Sequence, residues 1–174
     1  MSNTSNFLNV KICKNTYLDN NFEGYNVNLP HIYEKLILSD FIYSSKNINN
    51  NVVIINLCEK PLISLHNPHI YNIQINDSNN VPYEYFKMIM LKCYKILKMA
   101  ENNNYPVIVN CAAGINRSSS VIITYSFLYK KFSIKQIINY IKYIKFKKYG
   151  DMWPTLTNHK FIEYLLIMQS ELFN

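Results

Sequence analysis

The sequence predicts an α/β domain in which strands alternate with helices and a ligand site lies at the carboxyl ends of the strands. Three observations predict it. The 174 residues suffice for one domain with a proper core and call for no second one. Short β-branched runs alternate with longer segments whose apolar residues recur at helical spacing. The stretch from Tyr105 to Val121, YPVIVNCAAGINRSSSV, reads as strand, tight loop and helix in direct succession.

Taken in order, residues 1–34 are polar and rich in asparagine and are expected to form an extension, with an apolar patch from Asn9 to Leu18 suited to a strand pair or an arm. Lys35 to Phe41, KLILSDF, is expected as a sheet strand, followed by a helix-like segment from Phe41 to Ile48 and a strand from Val52 to Leu57. Ile70 to Ile75 alternates with period two and predicts a further strand, and Asp77-Ser78-Asn79-Asn80 predicts a loop. Tyr83 to Ala100 predicts a helix with the core stripe Phe86, Ile89, Met90, Tyr94 and Leu97. Pro106 to Asn110 fits a buried strand, and Ser118 to Tyr129 a buried helix. Ser133 is a plausible N-cap for a helix from Ile134 to about Lys147, with Ile137, Ile138, Ile141 and Ile144 inward and Lys142, Lys145, Lys147 and Lys148 on a solvated face. Gly150 and Pro154 mark a break before a last helix from Asn158 to Leu172, and Trp153 is expected to pack.

Composition narrows the function. With 49% hydrophobic and 17% charged residues the chain is globular, and no apolar run approaches a membrane span or a signal peptide. A cytoplasmic location is expected. The four cysteines, Cys13, Cys58, Cys93 and Cys111, show no paired metal spacing, so free thiols and no metal or other cofactor are expected. The net charge of +7 is compatible with anionic partners.

The loop after the central strand carries the chemistry. Cys111 and Arg117 stand six positions apart, with Ser118 directly behind the arginine. A five-residue loop that closes onto a helix N-terminus turns several N–H groups inward, and the helix dipole adds positive potential, so an oxyanion fits there. The same surroundings favour a thiolate at Cys111 and make it a nucleophile. Arg117 is the only arginine among 18 basic residues, so arginine has been kept where a planar fork must grip two phosphate oxygens. Gly114, one of three glycines, lies where backbone must approach a ligand. The expected phosphate-binding residues are Ala112, Ala113, Gly114, Ile115, Asn116 and Arg117. Asp77, in the loop after a predicted strand, is the expected proton donor, with Glu59 and Asp40 as weaker rivals.

VNCAAGINRSSSVI resembles the phosphate-binding loop of the cysteine-dependent dual-specificity protein phosphatases, most closely the poxvirus-type members. The resemblance extends from about Leu36 to Leu166, through Ile55-Asn56-Leu57, Asn76-Asp77-Ser78 and Asn158-x-x-Phe161. It departs from the family where Asn110 stands for the histidine before the cysteine and Ser119 for a glycine. It implies a single cysteine phosphatase domain over residues 35–174, with a central, mostly parallel sheet of about four to five strands flanked by helices. Implied with it are a phosphocysteine intermediate at Cys111, Asp77 as acid, Ser118 as hydrogen-bond donor to the thiolate, and no metal. If the chain is viral, the host cytoplasm or the virion is its expected place. The expected activity is hydrolysis of phosphotyrosine and phosphoserine or phosphothreonine in proteins. An RNA 5′-phosphatase and a weakly active phosphate-binding pseudophosphatase are the alternatives. Tensin-type lipid phosphatases carry Asn-Leu-Cys at the place of Asn56-Leu57-Cys58, and the resemblance makes Cys58 a possible redox partner of Cys111.

Overall fold

A computed structural model describes residues 7–12, 25–30, 33, 35–130, 132–149 and 154–173. Cys13, Gly150 and Trp153 lie outside them, as does most of the segment read as an N-terminal extension. The described elements are, in chain order, β1 (Phe7–Ile12), β2 (Tyr25–Pro30), β3 (Leu36–Asp40), α1 (Phe41–Lys46), β4 (Val53–Asn56), β5 (Ile70–Asn72), α2 (Tyr83–Asn102), β6 (Val107–Cys111), α3 (Arg117–Lys130), α4 (Ile134–Tyr149) and α5 (His159–Phe173). The strands form one six-stranded sheet in the order β2-β1-β3-β6-β4-β5. Only the edge pair β1 and β2 is antiparallel; every other pairing is parallel. The parallel pairing brings the carboxyl ends of β3, β4, β5 and β6 to one edge, with Asp40 in register with Cys111 and Asn56 with Asn110.

The period-two pattern sorts side chains to two faces. Leu36 and Leu38, Val53 and Ile55, and Val107 and Val109 enter the larger core with α2, α3, α4 and α5. Their neighbours Ile54 and Ile108 join Val52 and Leu62 in a smaller core, against which Ile37, Phe41 and Tyr43 pack. Each fully buried aliphatic or aromatic side chain contributes about 1.5–3 kcal/mol. The central helix α3 is buried from Arg117 to Phe127, which fixes it against β6 and fixes the direction of its N-terminus. The helix stripe expected in α2 is inside, with Phe86, Ile89, Met90 and Leu97 buried. In α4, Ile137, Ile138 and Ile141 are buried while Lys135 and Lys142 are exposed.

Side-chain caps set the helix starts. Ser133 and Gln136 form a reciprocal pair at α4: Gln136 N donates to Ser133 Oγ at 3.3 Å and Ser133 N donates to Gln136 Oε1 at 3.2 Å. Asn158 Oδ1 accepts from Lys160 N at 3.1 Å and from Phe161 N at 3.2 Å, which caps α5. The strand expected over Ile70 to Ile75 is shorter, ending at Asn72. Ile73 N still donates to the Asn56 carbonyl at 2.8 Å, and after it the segment leaves β4: Ile73 and Ile75 turn inward, while the Ile75 carbonyl is taken by Arg117 at 3.2 Å.

Asp40 ends β3 and caps α1, its Oδ1 accepting from Tyr43 N at 2.8 Å, while its buried Oδ2 has no hydrogen-bond partner. Burial pushes its carboxyl pKa up, against the N–H groups of Tyr43 and Ile42 and the charge of Lys46, which pull it down. The folded state therefore holds the Asp40 proton more tightly than the unfolded chain, where the value is about 3.9. As pH rises through the unfolded value and then the folded one, Asp40 withdraws stability, and the loss is complete above the folded value. Asp40→Asn keeps a capping oxygen and removes this titration. Its urea midpoint, measured across a pH series, should gain on the wild type as pH rises through that window and then run parallel. A difference that stays level or shrinks contradicts the assignment.

Candidate active site

Cys111 is the last residue of β6 and Arg117 the first of α3, so the five residues between them bridge a strand end and a helix N-terminus. Gly114 has φ +68°, and a Cβ there would stand 3.1 Å from the Ser39 carbonyl oxygen. Conformation and space both require glycine, and the contact seats the loop on the end of β3. Cys111 Sγ lies 3.2 Å from Ser118 Oγ. Ser120 Oγ donates to the Asn116 carbonyl at 2.9 Å, tying the first turn of α3 back to the loop.

Arg117 is buried, with 8% of its surface exposed. Its Nη1 donates to the Leu57 and Ile75 carbonyls, each at 3.2 Å, and so connects the ends of two neighbouring strand segments. With Nη1 engaged, the opposite edge of the guanidinium, Nε and Nη2, presents its parallel N–H pair, and Nε has no protein partner. The ion pairs among the described residues are Lys87–Glu171, Lys98–Glu101 and Lys160–Glu163, so no carboxylate there neutralises this cation. It also stands at a helix N-terminus, where the dipole disfavours positive charge. A bound oxyanion relieves both strains.

Asp77 is exposed and tethered to the loop. Asn116 Nδ2 donates to its two carboxylate oxygens at 3.2 and 3.0 Å, and Asn158 Nδ2 donates to Oδ1 at 3.0 Å. Asn116 Oδ1 accepts from Thr157 N at 2.7 Å and from Asn158 N at 3.1 Å. Both ends of the Asn116 amide are therefore committed, one to the Asp77 loop and the other to the approach to α5. Leu156 N adds a bond to the Ile115 carbonyl at 3.1 Å. Sequence reading placed Asn116 in the phosphate-binding loop through its backbone; its side chain turns toward Asp77. The signal for Asn158 lay in Asn158-x-x-Phe161, which reads as a helix cap and gives no hint of the bond to Asp77.

Cys58 and Asn110 lie on the other flank. Asn110 Nδ2 donates to Asn56 Oδ1 at 2.8 Å and sits 3.7 Å from Cys58 Sγ. Asn56 Nδ2 passes the chain on to Asn72 Oδ1 at 2.8 Å and to the Lys60 carbonyl at 2.9 Å. Asn72 closes it through paired bonds with Leu62, N to Oδ1 and Nδ2 to O, each 2.9 Å. Three amides thus fasten the segment after β4 to the residue preceding Cys111. Burial pushes the Cys58 thiol up to about 11, the charge of Cys111 adds to the rise and Arg117 opposes it. Glu59 is exposed at the rim of a cavity of about 320 Å³ that Cys58, Ala112 and Arg117 also line. The site residues expected from sequence are therefore brought to one edge of the sheet, with Ala112 exposed and Ala113 and Ile115 half-buried along the loop.

The family model for the dual-specificity phosphatase catalytic domain matches residues 32–166. No curated protein sequence is similar enough to count as a relative. Among solved structures, DUSP15 is similar with a TM-score of 0.57, at 19% identity, over 79% of this chain and 91% of that one. PTP-2 phosphatase of Cydia Pomonella is similar with a TM-score of 0.56, at 19% identity, over 72% of this chain and 77% of that one. OH1 from the Orf virus, described as a tyrosine phosphatase with triple substrate specificity, gives 0.52 at 16% identity, covering 73% and 78% of the two chains. These likenesses carry the fold, and the family match, which spans most of the chain, carries the membership: this protein belongs to the dual-specificity protein phosphatases.

Proposed function

We propose that the protein hydrolyses phosphotyrosine and phosphoserine or phosphothreonine in proteins through a phosphocysteine at Cys111. The observation that carries this is Arg117, a buried guanidinium without a carboxylate partner among the described residues, whose Nε is left unpartnered at the end of the loop that begins at Cys111. In this reading the phosphoryl group sits over the loop, with its equatorial oxygens on the backbone N–H groups and on Nε and Nη2 of Arg117. The Cys111 thiolate attacks phosphorus in line as the bond to the leaving oxygen breaks, and Asp77 transfers its proton to that oxygen. Water then attacks the phosphocysteine, Asp77 takes a proton from it, and the thiolate departs toward Ser118 Oγ at 3.2 Å. Asn116 and Asn158 hold Asp77 over the loop for both steps. On the loop sequence we place the chain nearest the poxvirus-type members. Among the described residues no helix is long and apolar enough to cross a membrane.

Cys58 is assigned a protective role in the same scheme. Peroxide converts the Cys111 thiolate to a sulfenic acid with release of hydroxide; the Cys58 thiolate attacks that sulfur, hydroxide leaves, and a disulfide forms. Because the Cys58 thiol is held near 11, its thiolate is scarce at neutral pH. Trapping should therefore accelerate as pH rises above neutrality.

With an aryl phosphate as substrate and EDTA present, the wild type should remain active and Cys111→Ser should be silent. Asp77→Asn should lower kcat by about 10²–10⁴-fold, and Arg117→Lys by at least about 10²-fold, through loss of the fork. Activity that vanishes with chelator yet survives Cys111→Ser overturns the mechanism. In the redox arm, peroxide sustained long enough to oxidise an untrapped sulfenic acid on to the sulfinic acid, followed by dithiothreitol, should restore the wild type and leave Cys58→Ser inactive. Equal recovery of the two proteins removes the role given to Cys58.

A further inference from the structure

We propose, on the basis of the phosphatase reading above, that the cavity beside the phosphate loop is the substrate's side-chain subsite and that Phe41 and Ile42 form an aryl-binding wall in it, so that phosphotyrosine is favoured over phosphothreonine. The cavity measures about 320 Å³, at the lower end of small-ligand sites, with room for a single side chain. Ala112 and Arg117 contribute its phosphate side, Phe41 and Ile42 its apolar wall, and Glu59 and Lys60 its rim.

The wall is built before a substrate arrives. Phe41 and Ile42 are the first two residues of α1, and the Asp40 cap fixes that turn. Phe41 is half-buried: part of its ring packs on the small core of Val52, Ile54, Leu62 and Ile108, and the remainder faces the cavity. At the rim the Lys60 ammonium stands 5.6 Å from the centre of the same ring, within cation–π range. The segment carrying Lys60 is itself pinned by Asn56 through the Lys60 carbonyl at 2.9 Å. A rigid wall of this kind costs little ordering when a ring packs on it.

Chain length then separates the substrates. With phosphorus seated on Arg117, a tyrosyl side chain places its ring in the cavity, where it meets Phe41 and Ile42 and gains apolar and aromatic contact. A threonyl side chain is too short to span the cavity and brings only a methyl group. The rim carries one acid and one base, Glu59 and Lys60, so its net charge gives acidic flanking residues no overriding pull.

The test uses two peptides of identical flanking sequence, one with phosphotyrosine and one with phosphothreonine, and reads the ratio of their kcat/KM values. A ratio taken on one protein sample cancels any loss of folded enzyme, so a destabilised variant remains informative. The wild type should favour phosphotyrosine by about tenfold or more. Phe41→Ala should cut that ratio by about five- to tenfold, Ile42→Ala should lower it less, and Phe41→Tyr, which keeps the aryl wall, should retain it. A wild-type ratio near one overturns the proposal, as does a ratio that neither Phe41→Ala nor Ile42→Ala moves. A wild type that turns over neither peptide overturns the phosphatase reading itself, an outcome distinct from an active enzyme without preference.

Discussion

The burial of a single guanidinium constrains the rest of this structure. Arg117 is drawn into the protein with two backbone carbonyls as its hydrogen-bond partners and no carboxylate paired to it among the described residues. Burying an unneutralised charge costs several kcal/mol, and the N-terminus of α3 adds to the cost. The fold meets the cost with rigidity. A helix buried along 11 residues, from Arg117 to Phe127, cannot rotate to release the side chain, and the carbonyls of Leu57 and Ile75 are presented by the segments that follow β4 and β5. The same arrangement leaves Nε without a partner, so the group that is costly without a ligand is the one to which the proposed mechanism gives the phosphoryl oxygens.

Neutral amides do the connecting work around that charge. On one side Asn116 and Asn158 fasten the Asp77 loop to the phosphate loop and to the start of α5. On the other, Asn110, Asn56 and Asn72 run across three strands and hold the segment that walls the cavity. An amide both donates and accepts, so each of these side chains joins two elements without adding charge beside Cys111. Asn110, in place of the histidine expected from the family, belongs to this pattern: it supplies a hydrogen bond to Asn56 and no positive charge.

The phosphate loop was legible in the sequence because its logic is local. Cys111, Gly114 and Arg117 lie within seven residues, and strand, turn and helix each leave a short-range mark. That Asp77 stands beside this loop was legible from the strand before it. The tethers were not, because the bonds from Asn116 to Asp77 and to Thr157 span 39 and 41 residues and local periodicity carries no trace of them. The same holds for β1 and β2: Phe7–Ile12 pairs with β3 through a parallel register that an apolar patch alone does not specify. The strand over Ile70 to Ile75 was read too long because alternation continues inward after the ladder stops, and burial and pairing part company at Asn72. Phe41 reads from sequence as a helix residue, and its place at the cavity follows only from where β3 ends.

The most direct test of the central claim is to look for the covalent intermediate. Asp77→Asn should be mixed with an aryl phosphate, quenched in acid within one turnover, digested and examined by mass spectrometry. The account predicts one added phosphate on the peptide containing Cys111, absent from the Cys111→Ser protein treated in the same way. Turnover with no phosphate on Cys111, or with phosphate on another residue, would contradict it.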